Sequence, residues 1–162
     1  MAKELDFPKL ENQLSGLTPV GFGEKIQGLT EFLQSLDGEE EITKTLTDTN
    51  ITHHFAEGLY GRELLIPKGV LIVSRVHKRP LINVISKGHV IILDVNGRRE
   101  VHAPATFVDE KAGTQRVVYS VEETVWTTIH ATDCTDEDSI LEEMSTTSYS
   151  EFLKYSKVLE ML

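Results

Sequence analysis

Apolar residues recur with two different periods along the chain, and the changes of period divide it into three stretches. Between Phe22 and Leu36 they recur every three or four residues, which is the spacing of one stripe on an amphipathic helix. From residue 45 to residue 132, short runs rich in β-branched residues alternate with turn signals such as EGLYG, IPKG and SKG. From residue 133 the helical spacing returns. This order predicts a mainly β protein with helices at both ends.

These changes of period predict three segments. Residues 1–44 form an N-terminal helical segment with a helix near residues 21–37. Residues 45–132 form an antiparallel β-barrel, and residues 133–162 form two C-terminal helices. The C-terminal helices are predicted to begin at TDED and SYSE, because each sequence has the form of a capping box ahead of an apolar run. Helices this short are marginal alone in water, so we expect them to pack on the barrel.

Turn chemistry within the β segment supports the barrel. HVIILDVNGRREVHAP contains two apolar runs joined at Asn96-Gly97, a pair suited to a type I′ hairpin turn. RVVYSVEETVWTTIHAT predicts a further pair of strands around Glu122-Glu123. No helical period interrupts these runs, and many short antiparallel strands with regular turns are typical of a sandwich or a barrel.

Composition narrows the kind of partner. The chain has 162 residues, enough for one domain, and a formal net charge of −10, which repels nucleic acid and anionic membranes. No apolar stretch reaches the roughly 18 residues that span a bilayer. The N-terminal residues contain no apolar signal core. We therefore expect no nucleic-acid or membrane partner, and no export by a signal peptide.

Nucleophilic catalysis has no support in the sequence. The single cysteine, Cys134, cannot form an intrachain disulfide, and its acidic loop is expected to raise the pKa of the thiol. No serine stands in a G-x-S-x-G elbow, and no glycine-rich phosphate loop is present. A function without catalysis is therefore favoured over an enzymatic one.

Positive charge lies at the centre of an otherwise apolar, strand-like run. The run begins at Gly69, continues through Arg75, His77 and Leu81, and ends at Gly88. These positions have the spacing of the first cupin motif, in which glycine is followed by two histidines, a glutamate and a second glycine. The match concerns spacing, since only one of the two histidines is kept and leucine stands in place of the glutamate.

The second cupin motif is matched in the same way. Lys111, Gly113, Arg116 and Ser120 stand where the motif has proline, glycine, histidine and asparagine. The chain from about residue 55 to residue 132 therefore resembles the cupin superfamily, and the resemblance implies a small jelly-roll β-barrel. GLYGRELLIPKG and TVWTTIHAT also resemble small cupin-like proteins of tailed bacteriophages.

The substitutions at these positions change the expected chemistry. In cupins that bind metal, two histidines and a glutamate of the first motif join a histidine of the second. Here arginine replaces two of the histidines and leucine replaces the glutamate, which leaves His77 alone. Arginine has no lone pair to offer a cation, and one imidazole cannot hold a divalent ion well. We expect no metal and no other cofactor at this position.

An anion fits the substituted positions better than a metal. Arg75 and His77 are two residues apart on a strand and share a face, and the cupin alignment implies that Arg116 points inward beside them. Arginine's planar fork suits carboxylate and phosphate. His130, near the end of a strand that also carries Trp126, is a further candidate for this ligand-binding pocket, with a hydrogen-bonded position at the barrel rim as the favoured alternative.

A structural role for the same arginines stays open. Arg75 and Arg116 could instead pair with internal acids or face solvent, and the candidate acids are Glu63, Glu100 and Glu122. Arg62 could border the pocket, with surface pairing as its default role. His89 and His102 lie near turns or strand edges and receive no role.

Three functions remain open after these observations. The first is a non-catalytic phage protein that works by assembly or binding, the second a binder of an anionic metabolite. The third is a metal-dependent cupin enzyme with the unusual ligands His77, His102 and His130. For the first we expect a homo-oligomer, most simply a dimer, because the terminal apolar stripes exceed what one small barrel needs. The phage resemblance implies other phage proteins as partners and a location in the host cytoplasm or the virion.

Overall fold

The structure is a computed structural model that describes residues 7–35 and 50–161. In chain order its elements are α1 (Phe7–Leu14), α2 (Pro19–Ser35), β1 (Ile51–Ala56), β2 (Leu59–Ile66), β3 (Leu71–Val73), β4 (Val76–His77), β5 (Leu81–Lys87), β6 (His89–Asp94), β7 (Gly97–His102), β8 (Ala105–Asp109), β9 (Val117–Ser120), β10 (Thr124–Ala131), α3 (Glu137–Met144), β11 (Ser145–Thr146) and α4 (Tyr149–Met161).

Two antiparallel sheets form the body of the protein. One has the strand order β1-β2-β10-β5-β8, the other β3-β9-β6-β7, and a short pair β4-β11 lies beside them. A buried cluster takes side chains from both sheets, namely Ile66, Val70, Ile85, Val90, Ile92, Val118 and Trp126. The predicted fold class, an antiparallel cupin-type jelly roll with helices at both ends, is confirmed. The two strands predicted around Glu122-Glu123 are β9 and β10, which belong to different sheets.

The N-terminal segment contains two helices, α1 and α2, whereas the sequence predicted one helix near residues 21–37. Phe22 and Ile26 of α2 are each 1% exposed. They pack with Leu10 and Leu14 of α1 against Leu71, Leu93 and Val117 on three strands of the four-stranded sheet. The end of the predicted helix, residues 36–37, lies outside the described residues. No helix in the described part of the chain is long and apolar enough to cross a membrane.

Both predicted C-terminal helices are present. The cap of α3 is Asp136 rather than Thr135, and its carboxylate accepts a hydrogen bond from the Ser139 N–H at 2.9 Å. At the start of α4, the Ser148 hydroxyl accepts a hydrogen bond from the Glu151 N–H at 3.3 Å. The short strand β11 between the helices was not predicted, because two residues give no periodic signal.

The β6–β7 hairpin turns one residue earlier than predicted. Asp94 pairs with Gly97, so the loop residues are Val95 and Asn96. A type I′ turn over Asn96-Gly97 would need a positive φ at Asn96, whereas among the described residues only glycines, Gly97 included, have one. The Asp94 carboxylate also accepts a hydrogen bond from the Asn96 N–H at 2.8 Å, which closes the earlier turn. Each residue of β6 therefore faces a partner two positions earlier, and His89 lies opposite His102.

Candidate functional site

The segments that match the two cupin motifs are neighbours in the structure. The His77 N–H donates to the Thr114 carbonyl at 2.9 Å, and the Gly113 N–H donates to the His77 carbonyl at 2.7 Å. On the other side of β4, Ser145 of β11 pairs with His77, and the Lys78 N–H donates to the Met144 carbonyl at 2.7 Å. The backbone at His77 is thus fixed between the second motif and the C-terminal helical segment.

His77 and His130, two of the predicted ligand-binding residues, have neighbouring rings. Their ring centroids are 6.4 Å apart in an edge-on arrangement. The His130 ring also stacks on Tyr60 at 6.0 Å, and its Nε2 lies 3.1 Å from the Thr128 hydroxyl. The Nδ1 atoms of both histidines are buried and have no hydrogen-bond partner within the described ranges. Each ring therefore has one buried nitrogen that no described residue bonds.

Both histidines are neutral at neutral pH. Burial, followed by the charge of Arg116, lowers the pKa of His77 to about 3. Burial, followed by the charge of Arg62, lowers the pKa of His130 to about 4. The imidazoles therefore supply hydrogen-bonding groups rather than positive charge.

Arg116 is paired with an internal acid. Its side chain is buried, and one guanidinium nitrogen forms an ion pair with the Asp109 carboxylate. The Asn83 amide donates to the same carboxylate oxygen at 2.9 Å, and the Trp126 indole N–H donates to the Asn83 carbonyl oxygen at 3.0 Å. The Arg116 Nε and Nη1 atoms have no hydrogen-bond partner among the residues described. The structure therefore gives Arg116 the paired role. Asp109 provides the negative charge that the cupin alignment had led us to expect from an anionic ligand.

The acid differs from those expected. Glu63 lies 3.5 Å from the His54 ring, and the carboxylate of Glu100 bonds Arg98 at 2.6 Å. Asp109 was missed, although the alternation of β8 could have found it. Ala105, Phe107 and Asp109 share one strand face, and an acid on an apolar face signals a buried ion pair.

Arg75 has a different environment. Its Nε donates to the Ser145 hydroxyl at 2.8 Å, and the side chain is partly buried. No carboxylate of the described residues lies within 4.0 Å of its guanidinium. Arg75 thus has no direct ion pair of the kind that Arg116 forms, although its charge contributes, after hydrogen bonds from Thr147, to lowering the pKa of Glu151.

Arg62 is the functional candidate that the sequence undervalued. It lies on β2 opposite Thr128 of β10 and, like Arg75, has no carboxylate of a described residue within 4.0 Å. Burial, then the charge of Arg75, lowers the pKa of Arg62, while Tyr60 and Glu137 act in the opposite direction. Surface pairing, its default role, is therefore wrong.

Arg62, Arg75, His77 and His130 form what we call the Arg–His cluster. Arg62 is the member that links the others, since its charge acts on both histidines and the charge of Arg75 acts on it. Three of the four predicted site residues belong to the cluster. Arg116 borders it through His77 but is neutralised by Asp109.

The unusual metal-ligand set does not assemble. Within residues 7–35 and 50–161, one group of three or more histidine, cysteine or acidic side chains brings its ligand atoms within 4.8 Å of one another, and it consists of His89, Glu100 and His102. His102 stacks on His89 at 3.8 Å rather than joining His77 and His130. At the aligned glutamate position, Leu81 is buried and has no ligand atom.

A cleft of about 570 Å³ lies on another part of the surface. It is lined by Pro19, Phe22, Tyr149, the hairpin turn 94–99 and the segment 108–115. No member of the Arg–His cluster lines it, although Asp109 does. The cluster and this cleft are thus separate features, and the Arg116–Asp109 ion pair lies next to both: Asp109 lines the cleft, and the charge of Arg116 acts on His77.

The environment of Cys134 raises the pKa of its thiol, as expected. Its thiol donates a hydrogen bond to the Glu143 carboxylate at 3.0 Å, and this bond raises the pKa of the thiol. The acid responsible lies on α3 rather than in the loop. A raised pKa disfavours the reactive thiolate.

Comparison with known proteins gives a likeness at the level of the fold. No family model matches the chain, and no curated protein matches it. Among solved structures, the chain is similar to the cupin domain of Cnp3 from Schizosaccharomyces pombe, with 11% identity and a TM-score of 0.43 over 51% of this chain. That match spans 64% of the Cnp3 domain, which is less than two thirds of its length.

Two bacterial structures give similar values. A cupin domain from Bordetella pertussis Tohama I is 17% identical with a TM-score of 0.41, covering 51% of this chain and 91% of that one. KdgF from Halomonas sp. is 12% identical with a TM-score of 0.45, covering 59% of this chain and 89% of that one. At these identities the likeness concerns the fold alone.

Proposed function

We propose that the protein is a non-catalytic binding protein whose Arg–His cluster holds an anionic small molecule. The observation that carries the proposal is the pair Arg62 and Arg75, two guanidinium groups in each other's field without a carboxylate of the described residues within 4.0 Å. Like charges in a partly buried position are unfavourable until an opposite charge joins them. A carboxylate or phosphate group supplies that charge and matches the guanidinium fork.

The histidines complete the proposed site as neutral groups. Because the pKa values of His77 and His130 are lowered to about 3 and about 4, each ring offers one N–H and one lone pair at neutral pH. Their Nδ1 atoms are buried and have no hydrogen-bond partner among the described residues, so each ring has hydrogen-bonding capacity that the chain itself does not use. The site therefore has two positive charges and polar groups of both kinds, which favours a small anion that also carries hydroxyl or carbonyl groups.

Arg116 is left out of the proposed ligand set, because Asp109 neutralises it. Three of the four positions aligned with cupin metal ligands hold Arg75, Leu81 and Arg116, whose side chains have no lone pair for a cation, and only His77 remains as a ligand. The donor set therefore supports binding rather than metal-assisted catalysis at this place.

The proposed setting follows the sequence resemblance to small proteins of tailed bacteriophages. In that setting the protein acts as a homo-oligomer, with other phage proteins as partners, in the host cytoplasm or the virion. Phe22 and Ile26 are covered by the same chain and offer nothing to another subunit. Exposed apolar side chains remain at Ile82 and Val108, neighbours on adjacent strands of the five-stranded sheet, and sedimentation of the purified protein tests whether they associate.

Anion binding is tested by calorimetry and thermal shift at low ionic strength, with phosphate, phosphorylated sugars and di- and tricarboxylates as probes. At least one probe should bind and raise the melting temperature. In Arg62→Gln the affinity should fall about tenfold or more, since one charge-assisted hydrogen bond contributes about 1.5–3 kcal/mol. Arg62→Lys, which keeps the charge but loses the fork, should retain part of the affinity.

The matched control is Arg98→Gln, an arginine of the other sheet that already bonds Glu100. This variant should bind the probe as the wild type does. The proposal fails if no anion of the panel binds, or if Arg62→Gln and Arg98→Gln weaken binding equally.

A further inference from the structure

Two histidines face each other across the β6–β7 hairpin. His89 of β6 pairs with His102 of β7, and their ring centroids are 3.8 Å apart. The Ala103 N–H donates to the Gly88 carbonyl at 2.9 Å, so the histidine pair occupies the position between two hydrogen-bonded pairs. Side chains at this position approach each other most closely in an antiparallel sheet, which brings both imidazoles within reach of one ion.

A carboxylate completes the set. Glu100 is two residues before His102 on β7, so the two side chains share a strand face. One ligand atom from each of His89, Glu100 and His102 lies within 4.8 Å of the other two. Two imidazoles and one carboxylate match the three-protein-ligand sets that hold zinc with water as the fourth ligand.

The histidine pair also leaves a polar atom unexplained. His89 Nε2 is buried and has no hydrogen-bond partner among the residues described. Buried polar atoms are nearly always bonded, and this unpaired nitrogen, in a group of metal-ligand side chains, has its lone pair or N–H unused by the described residues. His102 and Glu100 are exposed, so an ion can enter from solvent.

One contact acts against cation binding. Arg98 donates to Glu100 Oε1 at 2.6 Å and also lies 3.6 Å from Glu11. Its charge weakens the attraction of Glu100 for a cation, although the second carboxylate oxygen is not used in that ion pair. The site should therefore bind a transition metal with moderate rather than high affinity.

We infer that His89, Glu100 and His102 form a binding site for a divalent transition-metal ion of the zinc type, outside the Arg–His cluster. Imidazole ligands favour zinc, nickel and copper over magnesium and calcium. The site joins β6 to β7, which is an edge strand of its sheet. A bound ion cross-links the edge strand to its neighbour and stabilises the hairpin, because it binds the folded arrangement and not the unfolded chain.

The test uses the full chain, stripped of metal with a chelator and titrated with zinc alone in a calorimeter. The expected result is one equivalent bound, with a rise in melting temperature. Cobalt, used as a spectroscopic probe, should give the visible absorption of nitrogen and oxygen coordination. His102→Gln should weaken zinc binding at least tenfold, and this residue is exposed, so the fold should tolerate the change.

Two further variants make the result specific. Glu100→Gln should weaken zinc binding as well, whereas the matched control His54→Gln, whose side chain is 55% exposed, should leave it unchanged. If the wild type shows no zinc binding up to millimolar concentration, the inference is wrong. It is equally wrong if His102→Gln and Glu100→Gln bind zinc as tightly as His54→Gln does.

Discussion

Replacing His77 with glutamine should remove a large part of the pH dependence of stability between about pH 7 and pH 5. Burial and the charge of Arg116 lower the pKa of His77 from 6.5 to about 3, so the folded protein resists protonation there while the unfolded chain accepts a proton. Because the unfolded state binds more protons, the free energy of unfolding falls as the pH decreases through 6.5. At about 1.4 kcal/mol per pH unit, the loss from His77 at about pH 5 is at most about 2 kcal/mol.

Urea unfolding followed by tryptophan fluorescence measures this effect. The chain has a single tryptophan, Trp126, which is 4% exposed, so its emission reports on the barrel interior. Acidic groups titrate in wild type and variant alike, and their effect cancels when the two pH profiles are compared. The profile of His77→Gln should be flatter by about 2 kcal/mol. His54→Gln, which removes a half-exposed histidine, should keep the steep profile.

The reasoning is refuted if wild type and His77→Gln lose the same free energy of unfolding between these pH values. Such a result would mean that the His77 imidazole is solvated or gains a partner when protonated. The same experiment on His130, whose pKa is lowered to about 4, should give a change of similar size.

Two further predictions concern the barrel itself. Asp109→Asn or Arg116→Met alone should lower the free energy of unfolding by about 3–5 kcal/mol, because an unpaired buried group remains. The double variant Asp109→Leu with Arg116→Met should lose clearly less free energy of unfolding in urea. Equal losses in the single and double variants would contradict the buried pair. Gly69 and Gly88 both have positive φ, but a Cβ at Gly88 would lie 2.4 Å from the Glu123 carbonyl oxygen, while one at Gly69 would meet nothing within 4 Å. Gly69→Ala should therefore cost about 1–3 kcal/mol and Gly88→Ala more, and thermal unfolding that ranks them in the opposite order would contradict the close approach.

The sequence predicted the architecture well because the architecture depends on periodicity. Alternating apolar residues and glycine turns define the strands, and the three-to-four spacing of Phe22 and Ile26 defines the buried face of α2. The spacing of the motif glycines also carries structural information, since Gly69, Gly88 and Gly113 all have positive φ. Local patterns of this kind are readable without knowledge of which strands pair.

The candidate site was predicted less completely, because it depends on pairings between distant segments. His77, Arg62 and His130 come from different segments of the chain, and no local pattern brings them together. Even Arg116 and Asp109, seven residues apart, are joined by the path of the loop between β8 and β9, which the sequence does not specify. The metal-ligand group shows the same limit more sharply. Placing the turn at Asn96-Gly97 would set His89 opposite Pro104, and only the observed register brings His102 to it.

The pairing of β4 with β11 connects the Arg–His cluster to the C-terminal helices. Arg75, just before β4, bonds Ser145, and His77 of β4 pairs with Ser145. The Lys78 N–H bonds the Met144 carbonyl, so the segment that carries two members of the Arg–His cluster is attached to the junction of α3 and α4. A macromolecule that bound these helices and displaced their junction would also displace Arg75 and His77. If the macromolecule thereby changes the affinity of the cluster for an anion by some factor, thermodynamic reciprocity requires that the anion change the affinity for the macromolecule by the same factor.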